Sequence, residues 1–96
     1  MTLEYRKLDE AEITAGLAKL PHWSIVDGQI SRTFKFENYL EGPKFAIKVG
    51  KIAEDINHHP DIHIGYCQVT VRVNTHDVGG LSPYDFELAR LVDMIL

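Results

Sequence analysis

The chain has one cysteine in 96 residues, Cys67, and no second one to pair with it. An intrachain disulfide and a CxxC metal or redox motif are therefore excluded, and a lone thiol suits a reducing compartment. No apolar run approaches the ~20 residues that a membrane helix needs. The charged stretch Met1–Lys7 also lacks the apolar core of a secretory leader. These absences predict a cytoplasmic protein with no membrane partner. Basic charge is scarce too: 10 Lys and Arg stand against 14 Asp and Glu, for a formal net charge of −4. Duplex nucleic acid is gripped by clustered Lys and Arg. Here the basic residues are scattered among acids, so no direct nucleic-acid binding is expected. Repeats, low-complexity tracts and linkers are absent, so residues 1–96 read as a single domain.

What is present is a patterned core, with hydrophobic residues at 45%. Asp9 is placed to cap a short helix carrying Ile13, Leu17 and Leu20 before Pro21 stops it. Asp27-Gly28 between two β-rich runs predicts a hairpin, because both central residues of a type I′ turn need positive φ. Ile30, Phe34 and Phe36 share a face of the second run, with Arg32 as the polar exception. Asn38 with Glu41 resembles a capping box opening a long helix, on which Phe45, Val49, Ile52 and Ile56 recur at helical spacing. Pro43 marks a start or a kink of that helix, and Pro60 requires it to end by His59. Ile62–Tyr66 and Gln68–Asn74 read as a second hairpin, turning near Gly65–Cys67. Val69, Val71 and Val73 alternate there with polar residues, which predicts one buried face. Ser82-Pro83-Tyr84-Asp85 supplies an N-cap Ser, a Pro at the first helical position and an acid at the third. The expected fold class is α+β, a two-layer sandwich in the order α-β-β-α-β-β-α. Its four-stranded antiparallel sheet carries three helices on one face.

Chemistry concentrates in the histidines. His58, His59 and His63 lie close together, and His76 follows the last strand; acids flank both groups at Glu54, Asp55, Asp77 and Asp85. Imidazole can give and take a proton near neutral pH, so paired imidazoles beside carboxylates form a natural acid–base set. A metal site is the rival reading. His59 and His63 are spaced to share a helix face, but Pro60 breaks any helix through both, and there is no HExxH frame and no cysteine ligand pair. No metal is expected. A helix terminus that simply favours histidine through its dipole, at about 0.3–1 kcal/mol, accounts for any one of these residues alone. The joint placement at a helix end and a strand end, a hairpin apart, is what favours a site.

The pattern Glu54-x-x-x-His58-His59-Pro60, then Tyr66, His76 and Asp85, resembles the signature of the pterin-4a-carbinolamine dehydratases. Thr75-His76-Asp77-Val78-Gly79-Gly80-Leu81-Ser82 is similar to a second segment of that family, departing from it at Gly79, where Ala is frequent. The Trp23 hairpin and Phe34-Lys35-Phe36 fit as well, so the likeness covers nearly the whole chain. It implies three helices on a four-stranded sheet, a homo-oligomer (dimer or tetramer), and a small-molecule pterin substrate. The implied activity is a hydro-lyase reaction without a cofactor, the loss of water from 4a-hydroxytetrahydropterin in tetrahydropterin recycling.

By this resemblance His58, His59 and His76 surround the reacting C4a/N5 edge, and Glu54 orients or activates an imidazole. Substrate contacts are expected from the same three histidines together with Pro60, Thr75, Asp77, Val78 and Asp85. Asp85 also has a structural reading as the third-position acid of the last helix, and Tyr66 as hairpin packing. His63 is no anchor of the motif, and His22 reads as structural or exposed. Which histidine is acid and which is base stays open. A second class of function rests on the same likeness: a protein-binding module, either a transcription-factor dimerisation cofactor or an assembly chaperone. It would use a helical surface and have no need of the histidine set.

Overall fold

Two hairpins and three helices alternate as the residue pattern predicts. In the computed structural model, which describes residues 3–96, the elements are α1 (Glu10–Ala18), β1 (Ser24–Val26), β2 (Gln29–Lys35), α2 (Glu41–Ile56), β3 (Asp61–Gly65), β4 (Gln68–Val73) and α3 (Pro83–Asp93). A 3₁₀ turn, His76–Val78, lies between β4 and α3. Asp27 and Gly28 both take positive φ, as a type I′ turn demands. The strands form one antiparallel sheet in the order β1-β2-β4-β3, so β4 is central and β3 is an edge.

The β2–β4 register sets Ile30 opposite Val73 and Phe34 opposite Val69. This face is closed over by Phe45 and Val49 of α2 and by Phe86, Leu88 and Val92 of α3, with Ile13 and Leu17 of α1 packed at the margin. Each such side chain contributes about 1.5–3 kcal/mol on burial. Burial therefore fixes which face each helix covers, and the caps, at about 1 kcal/mol each, only set where the helices begin. Arg32, the polar exception, lies over the Phe34 ring at 4.4 Å and pairs with Asp93 at 2.7 Å. Asp93 also accepts from Trp23 Nε1 at 2.9 Å, tying the first hairpin to the last helix.

Two details differ from the sequence expectation or sharpen it. Asn38 does not cap α2. Leu40 is already helical and serves as the N-cap without a side-chain bond, while the Asn38 carbonyl accepts from Glu41 N at 3.2 Å in a preceding turn. The chain winds into the helix through that turn, so the apparent capping box has no job. Pro43 sits in the first turn of α2, where a missing N–H costs little. At the other end, Asn57 adopts a left-handed conformation (φ 52°, ψ 46°) and closes the helix. That single residue turns the chain by a sharp angle, and the two histidines follow it.

Candidate active site

The left-handed Asn57 sends its two successors in different directions. His58 is buried, with its N–H bonded to the Ala53 carbonyl at 3.0 Å, whereas His59 stays exposed. The buried imidazole meets the start of α3. His58 Nε2 lies 2.6 Å from Asp85 Oδ1, and a carboxylate only accepts, so the ring donates through Nε2. Asp85 Oδ2 accepts from the Thr75 hydroxyl at 2.8 Å and from Ser82 N–H at 2.9 Å. Since the Thr75 proton points to Asp85, the Ser82 hydroxyl donates to Thr75 Oγ1 across 2.7 Å. Ser82 Oγ in turn accepts from Tyr84 N–H as the cap of α3. Ser82 and Asp85 together form a capping box. The acid that starts the last helix is thus the same acid that holds His58.

His59 has its own carboxylate partner: Nε2 lies 2.5 Å from Glu54 Oε2, and both side chains are largely exposed. Glu54 therefore supports His59, because the chain leaves helical geometry at Asn57 and takes His58 out of its reach. His76 is exposed on the 3₁₀ turn and makes no side-chain hydrogen bond among the described residues. Thr75, just before it, is drawn back toward the sheet end in an antiparallel bridge with Gly80, its N–H donating to the Gly80 carbonyl at 2.8 Å.

These residues open onto one cavity of about 390 Å³, within the range of small-molecule sites. Of the residues named by the resemblance, His58, His59, Thr75, His76 and Asp77 line it. Three expected contacts do not. Asp85 is wholly buried and lies behind His58, so a ligand in the cavity reaches it only through the imidazole. Pro60 and Val78 are half-buried, and their side chains fall outside the lining. Glu54 is likewise outside it, behind His59. Tyr66 is 82% exposed at the tip of the second hairpin, its ring beside that of Tyr39, and takes no part in this cavity. His63 is exposed on β3 and also absent from the lining. Among the described residues no three His, Cys, Asp or Glu side chains converge as a metal centre would require, and no helix is long and apolar enough to cross a membrane.

Further lining residues had no signal in the sequence. Tyr5 reaches the cavity from the N-terminal segment, where its ring stacks on Tyr84 with centroids 4.3 Å apart. Tyr84 in turn packs beside His58, with centroids at 5.7 Å. Paired bonds from Arg6 to Glu12 and from Leu8 N–H to the Leu81 carbonyl hold that segment in place. Gln29 and Asp61, at the starts of β2 and β3, complete another part of the wall.

Comparison with known proteins gives the family and the fold. A family model described as pterin 4 alpha carbinolamine dehydratase matches residues 6–95. A protein of Picosynechococcus sp., provisionally named a pterin-4-alpha-carbinolamine dehydratase, is 47% identical over 93% of this chain and 97% of its own. One from Sulfurisphaera tokodaii with the same provisional name is 43% identical over 95% and 98%. A crystal structure from Brucella melitensis, described as a transcriptional coactivator/pterin dehydratase, superposes with a TM-score of 0.87 at 33% identity. It covers 94% of this chain and 98% of its own.

Proposed function

The chain belongs to the pterin-4a-carbinolamine dehydratase family, and on that premise we propose that it removes water from a 4a-hydroxytetrahydropterin in tetrahydropterin recycling. The observation that carries this reading is the convergence of His58, His59 and His76 on one cavity, with two of the three rings held by carboxylates. In the reaction the C4a–O bond breaks and its electron pair leaves on the hydroxyl, which takes a proton from an imidazolium. The N5–H proton passes to a second imidazole, and the freed pair forms the C4a=N5 bond of the quinonoid dihydropterin. Atoms and charge balance with water as the only by-product, so an acid and a base suffice.

Each histidine brings a different setting to this exchange. His58 commits Nε2 to Asp85, which leaves Nδ1 to trade protons with the ligand. The buried carboxylate steadies the ring whenever it is charged. His59 works with Glu54 in solvent, and His76 works without a partner. Thr75 and Asp77 supply polar contacts beside them.

The direct measurement is the decay of synthetic 4a-hydroxytetrahydropterin with and without the protein. Marked acceleration is expected, undiminished after treatment with a strong chelator. Decay at the spontaneous rate would withdraw the activity, and loss of activity on chelation would restore the metal reading.

The same reading takes the chain to be a cytoplasmic homo-oligomer built from one dehydratase-like unit. Its support is a set of exposed apolar side chains: Tyr39, Leu40 and Ile47 before and within the first half of α2, and Ile64 and Tyr66 on the β3–β4 hairpin. Tyr39 and Tyr66 pack together at 5.9 Å between centroids. Exposed apolar side chains that adjoin, as these two tyrosines do, mark a contact surface more often than an isolated residue does. Light scattering on the purified protein should give the mass of two or four chains. A monomer at micromolar concentration would exclude this association.

A further inference from the structure

Part of the cavity wall carries no imidazole. Asp61 begins β3 and Gln29 begins β2, and the two strands are separated by β4. Their side chains nevertheless meet, with Gln29 Nε2 donating to Asp61 Oδ2 at 3.2 Å. The link therefore crosses over β4 near Arg72 and Val73, which the register sets beside Asp61 and Ile30. A carboxylate accepts only, so Gln29 must turn its amide nitrogen toward Asp61. Asp61 Oδ1 and Gln29 Oε1 are then left without side-chain partners among the described residues. Two acceptors, one of them charged, are held side by side on the cavity that the catalytic histidines share.

The chemistry of the ligand supplies the counterpart. The pyrimidine half of a pterin presents N3–H and the 2-amino group as neighbouring donors, at the end of the ring system away from N5. A carboxylate can take both in parallel, charge-assisted hydrogen bonds. Other carboxylates near the cavity are less suited: Glu54 is engaged by His59, and Asp77 lies on an exposed turn with no side-chain bond to fix it. We infer that Asp61, positioned by Gln29, reads the 2-amino/N3–H edge of the pterin and so sets the C4a/N5 edge against the imidazoles. The inference rests on the pterin reading above. It makes Asp61 a specificity residue and Gln29 a positioning residue, with no proton transfer assigned to either.

The test is binding of a stable 7,8-dihydropterin, followed by fluorescence titration, alongside an analogue that lacks the 2-amino group. Asp61→Asn should weaken the dihydropterin by on the order of 10- to 100-fold, and the analogue, which keeps only the N3–H donor, by a clearly smaller factor. Gln29→Ala should produce a smaller loss in the same direction. In turnover the defect should fall on KM, with kcat within about 3-fold of the parent. Both side chains lie at the surface, so the variants keep the fold. Unchanged affinity in Asp61→Asn would overturn the inference, as would an undiminished preference for the 2-amino ligand. A parent protein that binds dihydropterin with this pattern yet fails to speed dehydration would remove the activity and leave the edge-reading role in place. A parent that binds no pterin would remove both.

Discussion

The His76→Ala variant is expected to dehydrate 4a-hydroxytetrahydropterin about 10²–10⁴-fold more slowly than the parent, the usual worth of a positioned acid or base. Its stability should barely move, because a surface side chain without partners contributes within about 0.5 kcal/mol. His76 is exposed and makes no side-chain hydrogen bond among the described residues, so the two readouts separate cleanly. His59→Ala should behave similarly, since its ring and Glu54 both lie in solvent and an exposed pair adds about 0–1 kcal/mol. Imidazole added to the medium should restore part of the lost rate, given an open cavity lined by the missing ring. A His76→Ala protein that turns over at the parental rate would remove this residue from the proton-transfer set. A proportional loss of stability would instead mark it as structural.

Asp85 is expected to show the opposite coupling, with fold and activity falling together. Asp85→Ala strips the acceptor from His58 Nε2, the Thr75 hydroxyl and Ser82 N–H at a wholly buried position. Breaking one side of a buried ionic network costs about 3–5 kcal/mol. For a domain of this size that is a fall of about 15–30 °C in Tm. Asp85→Asn is the more telling variant. It keeps the shape and one oxygen, which can still serve Thr75 and Ser82, but it presents an amide N–H to His58. The ring must then accept through Nε2 and carry its proton on Nδ1, the nitrogen assigned to the ligand. Turnover should fall by about 10²-fold or more while Tm drops far less than in the alanine variant. Equal activity in the asparagine variant and the parent would show that the tautomer of His58 does not matter.

The start of α3 was fully legible because a cap is a local matter. Ser82, Pro83 and Asp85 carry the signal within four residues, and the structure forms that box. The same local logic failed at Asn38, where the backbone had already entered a turn and offered no open N-terminus to cap. The sheet was legible from the alternation of Val69, Val71 and Val73, since burial enforces period two. What could not be read was anything that depends on two distant segments meeting. Asp85 as the support of His58 needs the end of α2 and the start of α3 to touch. Glu54 was recognised as a partner for an imidazole, but which imidazole it serves depends on the left-handed turn at Asn57. The reach of Gln29 across β4 to Asp61 requires the strand order β1-β2-β4-β3, and neither residue stands out without it.

The first hairpin's anchor has a practical side. Trp23 is the only tryptophan in the chain, 4% exposed, bonded to Asp93 and set edge-on to Phe34. It lies outside the lining of the histidine cavity. Indole emission thus comes from a single, dry place whose surroundings exist only while α3 is docked on the first hairpin. Unfolding would move that indole into water and shift its spectrum to the red. Folding can then be followed by an optical signal at a distance from the chemistry, separately from the absorbance of any pterin in the assay.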